Sequence, residues 1–246
     1  MRKVGIIGCG TIGAIITQAV ANNIIECDEL ILYDGQIERA RRLAKLQEGK
    51  MIVVDSVDKM IRQKPSVIVE AASQQAVKQY ANKILGHDIE LIIMSVGALL
   101  ELDLHSSRLH IPSGAIGGLD AISSAALAGI HKVVLTTRKN PEALEMRNQK
   151  EQLVFEGTPS DAVKRFPKEI NVAATLALTT KNEKVKVRLI SDPKVTKNIH
   201  EIRIEWKYGE MLLIFANDSY PENPKTSALA AWSAIMLVKD ILGLSD

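Results

Sequence analysis

The first 110 residues alternate between short apolar runs and longer stretches whose apolar residues have helical spacing. Runs such as KVGIIG and SVIVEAA are almost wholly apolar, which is typical of strands buried on both faces of a parallel sheet. The intervening stretches have the spacing of amphipathic helices, so the pattern predicts a doubly wound parallel sheet. The predicted strands are residues 3–8, 29–34, 51–55, 66–72 and 90–95, and the predicted helices are residues 11–23, 36–47, 56–63 and 73–85.

From residue 111 onward the pattern changes, because several predicted strands alternate apolar and polar residues. Such alternation indicates a sheet with one buried face and one wetter face. We therefore predict a second domain of α+β class with a mostly antiparallel sheet. Its predicted strands are residues 131–139, 151–157, 184–192, 198–208 and 211–218, and its predicted helices are residues 119–129, 160–166 and 171–180.

The chain ends in an apolar stretch with helical character, which Thr226 or Ser227 can cap at its start. Because so apolar a helix needs a surface to bury it, we expect it to pack back on the first domain. The predicted organisation is a first domain over 1–110, a second over 111–223, and a terminal helix over 224–246.

A glycine motif, GCGTIG, follows the first predicted strand and opens the first helix. Its three glycines permit a tight turn, close approach of a pyrophosphate, and close packing of helix on strand. An acidic residue ends the next strand about 20 residues later, where it can bind the ribose hydroxyls of a dinucleotide. The motif predicts a Rossmann domain, and its predicted cofactor contacts are Gly8, Gly10, Thr11, Ile12, Gly13 and Asp34.

The acidic residue Asp34 favours NAD, because a carboxylate would repel the ribose phosphate of NADP. Arg39, Arg41 and Arg42 follow closely, so use of NADP stays open. In a doubly wound sheet the ligand lies beyond the carboxyl ends of the strands. We therefore expect Ala72 and Ser95, which lie at the carboxyl ends of the fourth and fifth predicted strands, to contact the cofactor.

Composition narrows the classes of partner. The net charge of +2 gives no indication of a nucleic-acid or membrane surface. The longest apolar runs, such as LIIMSVGALL, have about half the length of a membrane span. The first residues contain early glycines and no small-residue cleavage pattern, which argues against a secretion signal and predicts a cytoplasmic protein. Two cysteines and five scattered histidines form no metal-ligand pattern, so no metal site is expected.

Six motifs occur in order along the chain: EAASQQAVK, SGAIGGLDA, LTTRKN, FPKEINVAATLAL, NIHEI and ENPKTS. Together they resemble the L-aspartate dehydrogenase family, and the resemblance covers essentially the whole chain. Members oxidise L-aspartate to iminoaspartate with NAD or NADP, and iminoaspartate is a precursor for pyridine-nucleotide synthesis.

The resemblance implies an active-site role for His200 of NIHEI and cofactor contacts for Ala115 of SGAIGG and Asn171 of NVAAT. It also implies that the second domain binds the substrate and mediates a homodimer. In the segment IPSGAIGGLD, Ala115 would press against the cofactor, while the two glycines that follow would start a helix.

The pattern around His200 leaves its role open. In a strand, His200 shares the apolar face with Ile202 and Ile204. That placement by itself favours a core histidine bonded to a backbone carbonyl. The family resemblance favours a group that exchanges a proton with the substrate near neutral pH.

A dicarboxylate substrate needs cationic or N–H partners. The candidates for contact with aspartate are Ser113, Arg138, Lys139, Lys225 and Thr226. A solvated surface position is the commoner fate of lysine and arginine, and remains the alternative for each of them. Asp120 either orients a catalytic group or caps the helix that begins near Gly118, and we favour the cap.

Two other functions remain open. One is another two-domain dehydrogenase, of homoserine dehydrogenase type, which a substrate panel would distinguish. The other is a sensor that binds NAD without catalysis. Such a protein keeps the glycine motif and has no need of a proton-transfer group, so the presence of His200 argues for an enzyme.

Overall fold

The first sheet is six-stranded and wholly parallel in a computed structural model that describes residues 1–46, 49–167, 171–181, 185–220 and 223–244. Its strand order is β3-β2-β1-β4-β5-β6. The strands are β1 Lys3–Ile7, β2 Glu29–Tyr33, β3 Met51–Val53, β4 Val67–Glu70, β5 Glu90–Ile93 and β6 Leu109–His110. The predicted doubly wound sheet is confirmed, and β6 is a short strand that the apolar pattern did not reveal.

Helices alternate with these strands, as the hydrophobic spacing predicts. Ser56 caps one of them, since its Oγ accepts a hydrogen bond from the N–H of Lys59 at 3.3 Å. Ser73 caps another through the N–H of Ala76 at 3.2 Å. The helices are α1 Thr11–Ala21, α2 Ile37–Ala44, α3 Val57–Arg62 and α4 Gln74–Leu85. The predicted end of α2, at residue 47, lies outside the described residues.

The second sheet is five-stranded, with order β11-β10-β7-β9-β8, and is mostly antiparallel as predicted. Only the β7–β9 pair is parallel among its four pairings. Its strands are β7 Ile130–Lys139, β8 Gln152–Gly157, β9 Val185–Ser191, β10 Asn198–Trp206 and β11 Gly209–Asn217. The helices α5 Leu119–Ala128, α6 Pro159–Arg165 and α7 Asn171–Thr180 contribute to one core with its apolar face.

The C-terminal helix starts later than the sequence predicts. Residues Asn223–Ser227 form a strand, β13, which pairs with β12 Ser219–Tyr220, so the helix α8 spans Ala228–Ile241. The helix is also not buried all round, because Trp232 and Met236 are exposed on one side of it.

The chain forms two compact units, residues 1–112 with 231–246, and residues 113–230. Each unit has its own sheet. Within the described part of the chain, no helix has the length and apolar character needed to cross a membrane.

Candidate active site

The glycine turn between β1 and α1 is built around backbone contacts that exclude a side chain. Gly8 has a φ of +98°, and a Cβ on it would lie 2.7 Å from the backbone of Ala71 and Ala72. A Cβ on Gly13 would collide with the carbonyl oxygen of Gly8. A Cβ on Gly10 would meet nothing within 4 Å, so it would project into open space. That open position fits the close approach of a pyrophosphate, whereas the other two glycines serve the packing of the turn.

Thr11 and Ile12 begin helix α1, directly after Gly10, and both are half-buried. The first turn of an α-helix presents N–H groups that its own carbonyls do not bond, and these favour an anion. Since Gly10 has no side chain to cap the helix, a phosphate suits this end. The predicted contacts of Thr11 and Ile12 with the cofactor stay predictions.

Asp34 follows β2 and holds the glycine turn in place. One carboxylate oxygen accepts a hydrogen bond from the N–H of Cys9, and the other accepts one from the N–H of Gln36, each at 2.7 Å. A carboxylate offers about four lone-pair sites, so these two bonds leave capacity for the hydroxyls of a ribose. The predicted ribose contact therefore remains compatible with the structural role.

The Cys9 side chain in the turn is buried, and its Sγ lies 3.8 Å from the carbonyl oxygen of Tyr33. Burial, together with the negative charge of Asp34, raises the pKa of the Cys9 thiol to about 12. The thiol is therefore protonated at neutral pH and unreactive. Its small size and apolar character suit a buried position in the turn, beside the end of β2.

A buried carboxylate that the sequence analysis did not single out lies at the carboxyl end of β4. Glu70 is 2% exposed, and its Oε1 accepts hydrogen bonds from the N–H groups of Ala72 and Ser73, each at 2.8 Å. Ser95 adds its hydroxyl to Oε1 at 3.0 Å and its N–H to Oε2 at 3.1 Å. Ala72 and Ser95, both predicted cofactor contacts, are thus tied to each other through Glu70. The sequence feature that could have identified Glu70 is a charged residue at the end of an otherwise apolar strand.

His200 lies on β10 in the second unit and is 3% exposed. Its Nδ1 is 3.0 Å from the Oγ1 of Thr137, which lies directly opposite on β7. The partner is thus a side-chain hydroxyl rather than the backbone carbonyl expected of a core histidine. Burial, and secondarily the charge of Lys139, lower the pKa of His200 to about 3. The ring is therefore neutral at physiological pH, and the hydrogen bond described for it involves Nδ1.

The face of the second sheet that carries His200 changes from apolar to polar along its length. Ile202 and Ile204 belong to the buried core, whereas Thr137, Lys139 and Asn198 extend the same face as polar side chains. Lys139 is 2% exposed, and it lies opposite Ser191 of β9. A buried ammonium on the face of a buried imidazole makes this end of the sheet a candidate site for an anionic ligand.

Arg138 is placed on the other face of the sheet. It lies opposite Ile199 on β10, whereas its neighbour Thr137 lies opposite His200. Because neighbouring residues of a strand point to opposite faces of the sheet, Arg138 points away from the face that carries His200. Its guanidinium donates to Glu151 at 2.6 Å and to Asp192 at 3.4 Å. The structure therefore does not bring Arg138 to His200, and the adjacent Lys139 is the cation of this motif on the histidine's face.

The segment over residues 113–118 lies against β11. The Nδ2 of Asn217 donates to the carbonyl oxygen of Ala115 at 2.8 Å, and the Ala115 side chain is 6% exposed within the core of this unit. Gly118 has a φ of +70°, and a Cβ on it would lie 2.6 Å from Leu213. The segment is thus part of the packed second unit, and the cofactor contact predicted for Ala115 remains untested.

Asp120 is not the cap of helix α5. The residue before the helix is Gly118, and Asp120 is an exposed residue of the first turn. Its charge there complements the helix dipole instead.

The remaining predicted site residues lie in the second unit. Asn171 is the first residue of α7, Ser113 is half-buried at the start of the unit, and Thr226 is half-buried on β13. The backbone of Lys225 belongs to β13, while its side chain lies outside the described part of the structure. Their predicted contacts with cofactor or substrate stay predictions.

The fold and the site define a nicotinamide-nucleotide-dependent oxidoreductase: a Rossmann domain with a glycine turn, followed by an α+β domain with a buried histidine. The family model for the NAD-binding domain of homoserine dehydrogenase matches residues 8–110, and that for the C-terminal domain of aspartate dehydrogenase matches residues 120–241. The chain belongs to the L-aspartate dehydrogenase family and uses NAD or NADP.

Two relatives named L-aspartate dehydrogenase match the chain over almost its full length. The chain is 40% identical to the L-aspartate dehydrogenase of Methanosarcina mazei, covering 98% of this chain and 97% of the relative. It is 38% identical to the enzyme of Methanothermobacter thermautotrophicus, covering 98% and 96%.

Among solved structures, the aspartate dehydrogenase of Thermotoga maritima superposes with a TM-score of 0.78 at 29% identity, covering 98% of this chain and 97% of that one. The myo-inositol dehydrogenase of Lactobacillus casei superposes with a TM-score of 0.61 at 10% identity, covering 99% and 87%. The second likeness reflects the fold alone.

Proposed function

We propose that this protein oxidises L-aspartate to iminoaspartate with NAD or NADP. The observation that carries the proposal is a buried, neutral imidazole at His200 whose Nδ1 is engaged by Thr137, in a chain of this family. Oxidation of an amine to an imine requires removal of a hydride from the α-carbon and of protons from the ammonium. The first unit carries the proposed site of the cofactor that accepts the hydride, and the second unit carries His200, the proposed proton acceptor.

The first unit holds the cofactor, whose nicotinamide ring accepts the hydride when bound. Gly10 and the first turn of α1 would bind the pyrophosphate, and Asp34 would bind the adenosine ribose. A carboxylate at that position favours NAD over NADP. Ala72, Ser95, Ala115 and Asn171 complete the proposed cofactor contacts.

His200 accepts the proton from the substrate ammonium at Nε2. For Nε2 to be the acceptor, the ring proton must reside on Nδ1, and the Thr137 hydroxyl is positioned to accept the hydrogen bond from that N–H. Burial makes the imidazolium unfavourable in the ligand-free protein. The two carboxylates of aspartate would offset this, because nearby negative charge stabilises the cationic ring.

Lys139 is the group that we propose for a substrate carboxylate. Its buried ammonium shares the face of His200, and a charge-assisted hydrogen bond in a site of low dielectric is stronger than one in water. Ser113, Thr226 and Lys225 are further candidates for the second carboxylate. We prefer Lys139 to Arg138 for this role, because the guanidinium of Arg138 is paired with Glu151 and Asp192 on the opposite face.

The test measures reduction of NAD with L-aspartate at alkaline pH, where deamination is favoured. His200→Asn keeps an amide where Nδ1 lies, and so can retain the contact with Thr137 while removing Nε2. We expect kcat to fall by about a hundredfold or more, with NADH binding retained. His131→Asn is the matched control, since His131 is an exposed histidine on β7.

Absence of turnover with L-aspartate would contradict the proposal. Turnover with homoserine instead would favour the homoserine dehydrogenase alternative. Binding of NAD without turnover of any substrate would favour a sensor.

We further propose that the protein is a cytoplasmic homodimer whose product feeds pyridine-nucleotide synthesis. Supporting the dimer, β11 carries two exposed apolar side chains on the sheet face away from the core, Leu212 at 54% and Ile214 at 57%. Light scattering after chromatography should give a dimer mass for the wild type. A monomer mass is expected for Leu212→Lys/Ile214→Lys, and a monomeric wild type would refute this assembly.

A further inference from the structure

Glu70 is a buried carboxylate to which the proposed reaction assigns no role. Its described hydrogen bonds come from three backbone N–H groups and one hydroxyl, and all four partners can act as donors. An ionised carboxylate can accept from all four, whereas a protonated one has a hydrogen that only the Ser95 hydroxyl, among these partners, could accept. Burial raises the pKa of Glu70, and the same four hydrogen bonds oppose that shift. The donor set therefore fits the charged form, which holds a fixed negative charge inside the unit.

The position of this charge in the fold links it to the cofactor. In the strand order, β1 lies beside β4. The chain runs outward from β1 through β2 to β3 on one side, and from β4 through β5 to β6 on the other. The topological switch point of the sheet therefore lies between β1 and β4. Glu70 ends β4 directly opposite Ile7 of β1. In open α/β sheets the ligand lies outside the carboxyl ends of the strands at this switch.

The loop that Glu70 fixes also contacts the glycine turn. Ala71 donates its N–H to the carbonyl of Ile7 at 2.8 Å, and the backbone of Ala71 and Ala72 is what a Cβ on Gly8 would meet. The carboxylate therefore belongs to the wall of the cofactor site rather than to a remote part of the core.

We propose that Glu70 discriminates between the oxidation states of the cofactor and favours the oxidised form through its negative charge. The nicotinamide ring carries a positive charge in NAD and none in NADH, while the rest of the dinucleotide is unchanged. A fixed anion at the carboxyl edge of the sheet attracts the first ring and leaves the second unaffected. The proposal rests on the use of a nicotinamide cofactor and is independent of the identity of the substrate.

The test compares dissociation constants for NADH and NAD in the absence of any substrate. NADH is titrated by its own fluorescence, and NAD by displacement of NADH, at mildly alkaline pH. Glu70→Gln preserves the size of the side chain and removes the charge. We expect the ratio of the NADH constant to the NAD constant to fall by between about threefold and tenfold, as for a charge pair in a partly screened site.

Ser95→Ala is the matched control, because it removes one donor from the same cluster and leaves the carboxylate. It should weaken binding of both nucleotides to a similar extent and leave the ratio unchanged. Glu70→Ala is the second variant. It allows water to reach the donors of Ala72 and Ser73, whose residues are exposed, so it should give the same shift in ratio if the Gln variant fails to fold.

A shift in ratio for the Glu70 variants that is absent in Ser95→Ala supports the proposal. Equal weakening of both nucleotides by the Glu70 variants would overturn it and leave Glu70 with a purely structural role. An equal shift in Ser95→Ala would also overturn it, because loop geometry would then be the cause. A protein that binds both nucleotides and does not oxidise aspartate would refute the proposed reaction only, whereas failure of the wild type to bind either nucleotide would overturn both.

Discussion

The buried imidazole of His200 should make the stability of the second unit depend on pH, and His200→Asn should remove that dependence. The folded protein disfavours the imidazolium, so the pKa of His200 falls from 6.5 to about 3. As the pH falls below 6.5, the unfolded chain takes up a proton that the folded chain does not. Folding stability is then lost progressively between about pH 6.5 and pH 3.

The magnitude follows from the two pKa values. Between about pH 7 and pH 5, the protonation of the unfolded chain costs the wild type about 2 kcal/mol relative to a variant without this histidine. The other titrating groups are common to both proteins, so their contributions cancel in the difference. Asparagine is chosen because its amide can replace Nδ1 in the bond with Thr137.

The assay is urea unfolding of both proteins at several pH values, followed by tryptophan fluorescence. A Trp232→Phe background leaves Trp206 as the reporter, and Trp206 lies on β10 together with His200. The free energies of unfolding should diverge by about 2 kcal/mol toward pH 5. Parallel curves would refute the reasoning, because they would mean that His200 keeps an ordinary pKa and is accessible to water.

Three further predictions concern single side chains. Thr137→Val leaves Nδ1 of His200 without its partner, so kcat should fall about tenfold with the affinity for NADH unchanged, while Thr137→Ser retains activity; equal kcat in both variants would remove Thr137 from the mechanism. Ala115→Leu overpacks the core of the second unit and should lower its stability by about 1–3 kcal/mol in urea unfolding, whereas an unchanged midpoint would contradict the burial of Ala115. Cys9 and Cys27 are buried with raised pKa values, so mass spectrometry should find neither alkylated by iodoacetamide in the native protein and both alkylated in guanidinium chloride. Rapid labelling of Cys9 in the native protein would contradict its burial and show that the glycine turn opens.

The local pattern was sufficient for most elements of the fold. Near-continuous apolar runs identified β1, β2, β4 and β5, because a strand buried on both faces needs no polar positions. Alternation of apolar and polar residues identified β10 and β11, because a strand with one buried and one exposed face has polar residues at every second position. The pattern missed β6 and the β12–β13 hairpin, since two-residue strands and the polar sequence NPKTS have no apolar signature of their own. Because β13 was not recognised from the sequence, the terminal helix was predicted to start at residue 224, whereas α8 starts at Ala228.

The candidate site was predictable only where a motif carries its own geometry. The spacing of GCGTIG with Asp34 encodes a turn, a helix start and an acidic residue within one βαβ unit, so sequence proximity stands for spatial proximity. The cluster of Glu70 with Ser95 joins two loops that are 25 residues apart, and only strand pairing brings them together. The sequence likewise did not show which of Arg138 and Lys139 lies on the same face of the sheet as His200, because that depends on the pairing of β7 with β10.

The sequence by itself determined the two-domain α/β and α+β organisation, the dinucleotide motif and the family, because these depend on periodicity and on residues close together in the chain. Tertiary structure decided the state and surroundings of the reactive groups. The register of β7 against β10 puts the Thr137 hydroxyl on Nδ1 of His200, 63 residues away, and turns Arg138 to the opposite face. Burial then makes His200 neutral and encloses the carboxylate of Glu70. Protonation and charge in a site depend on what surrounds a group, and packing between distant segments sets those surroundings.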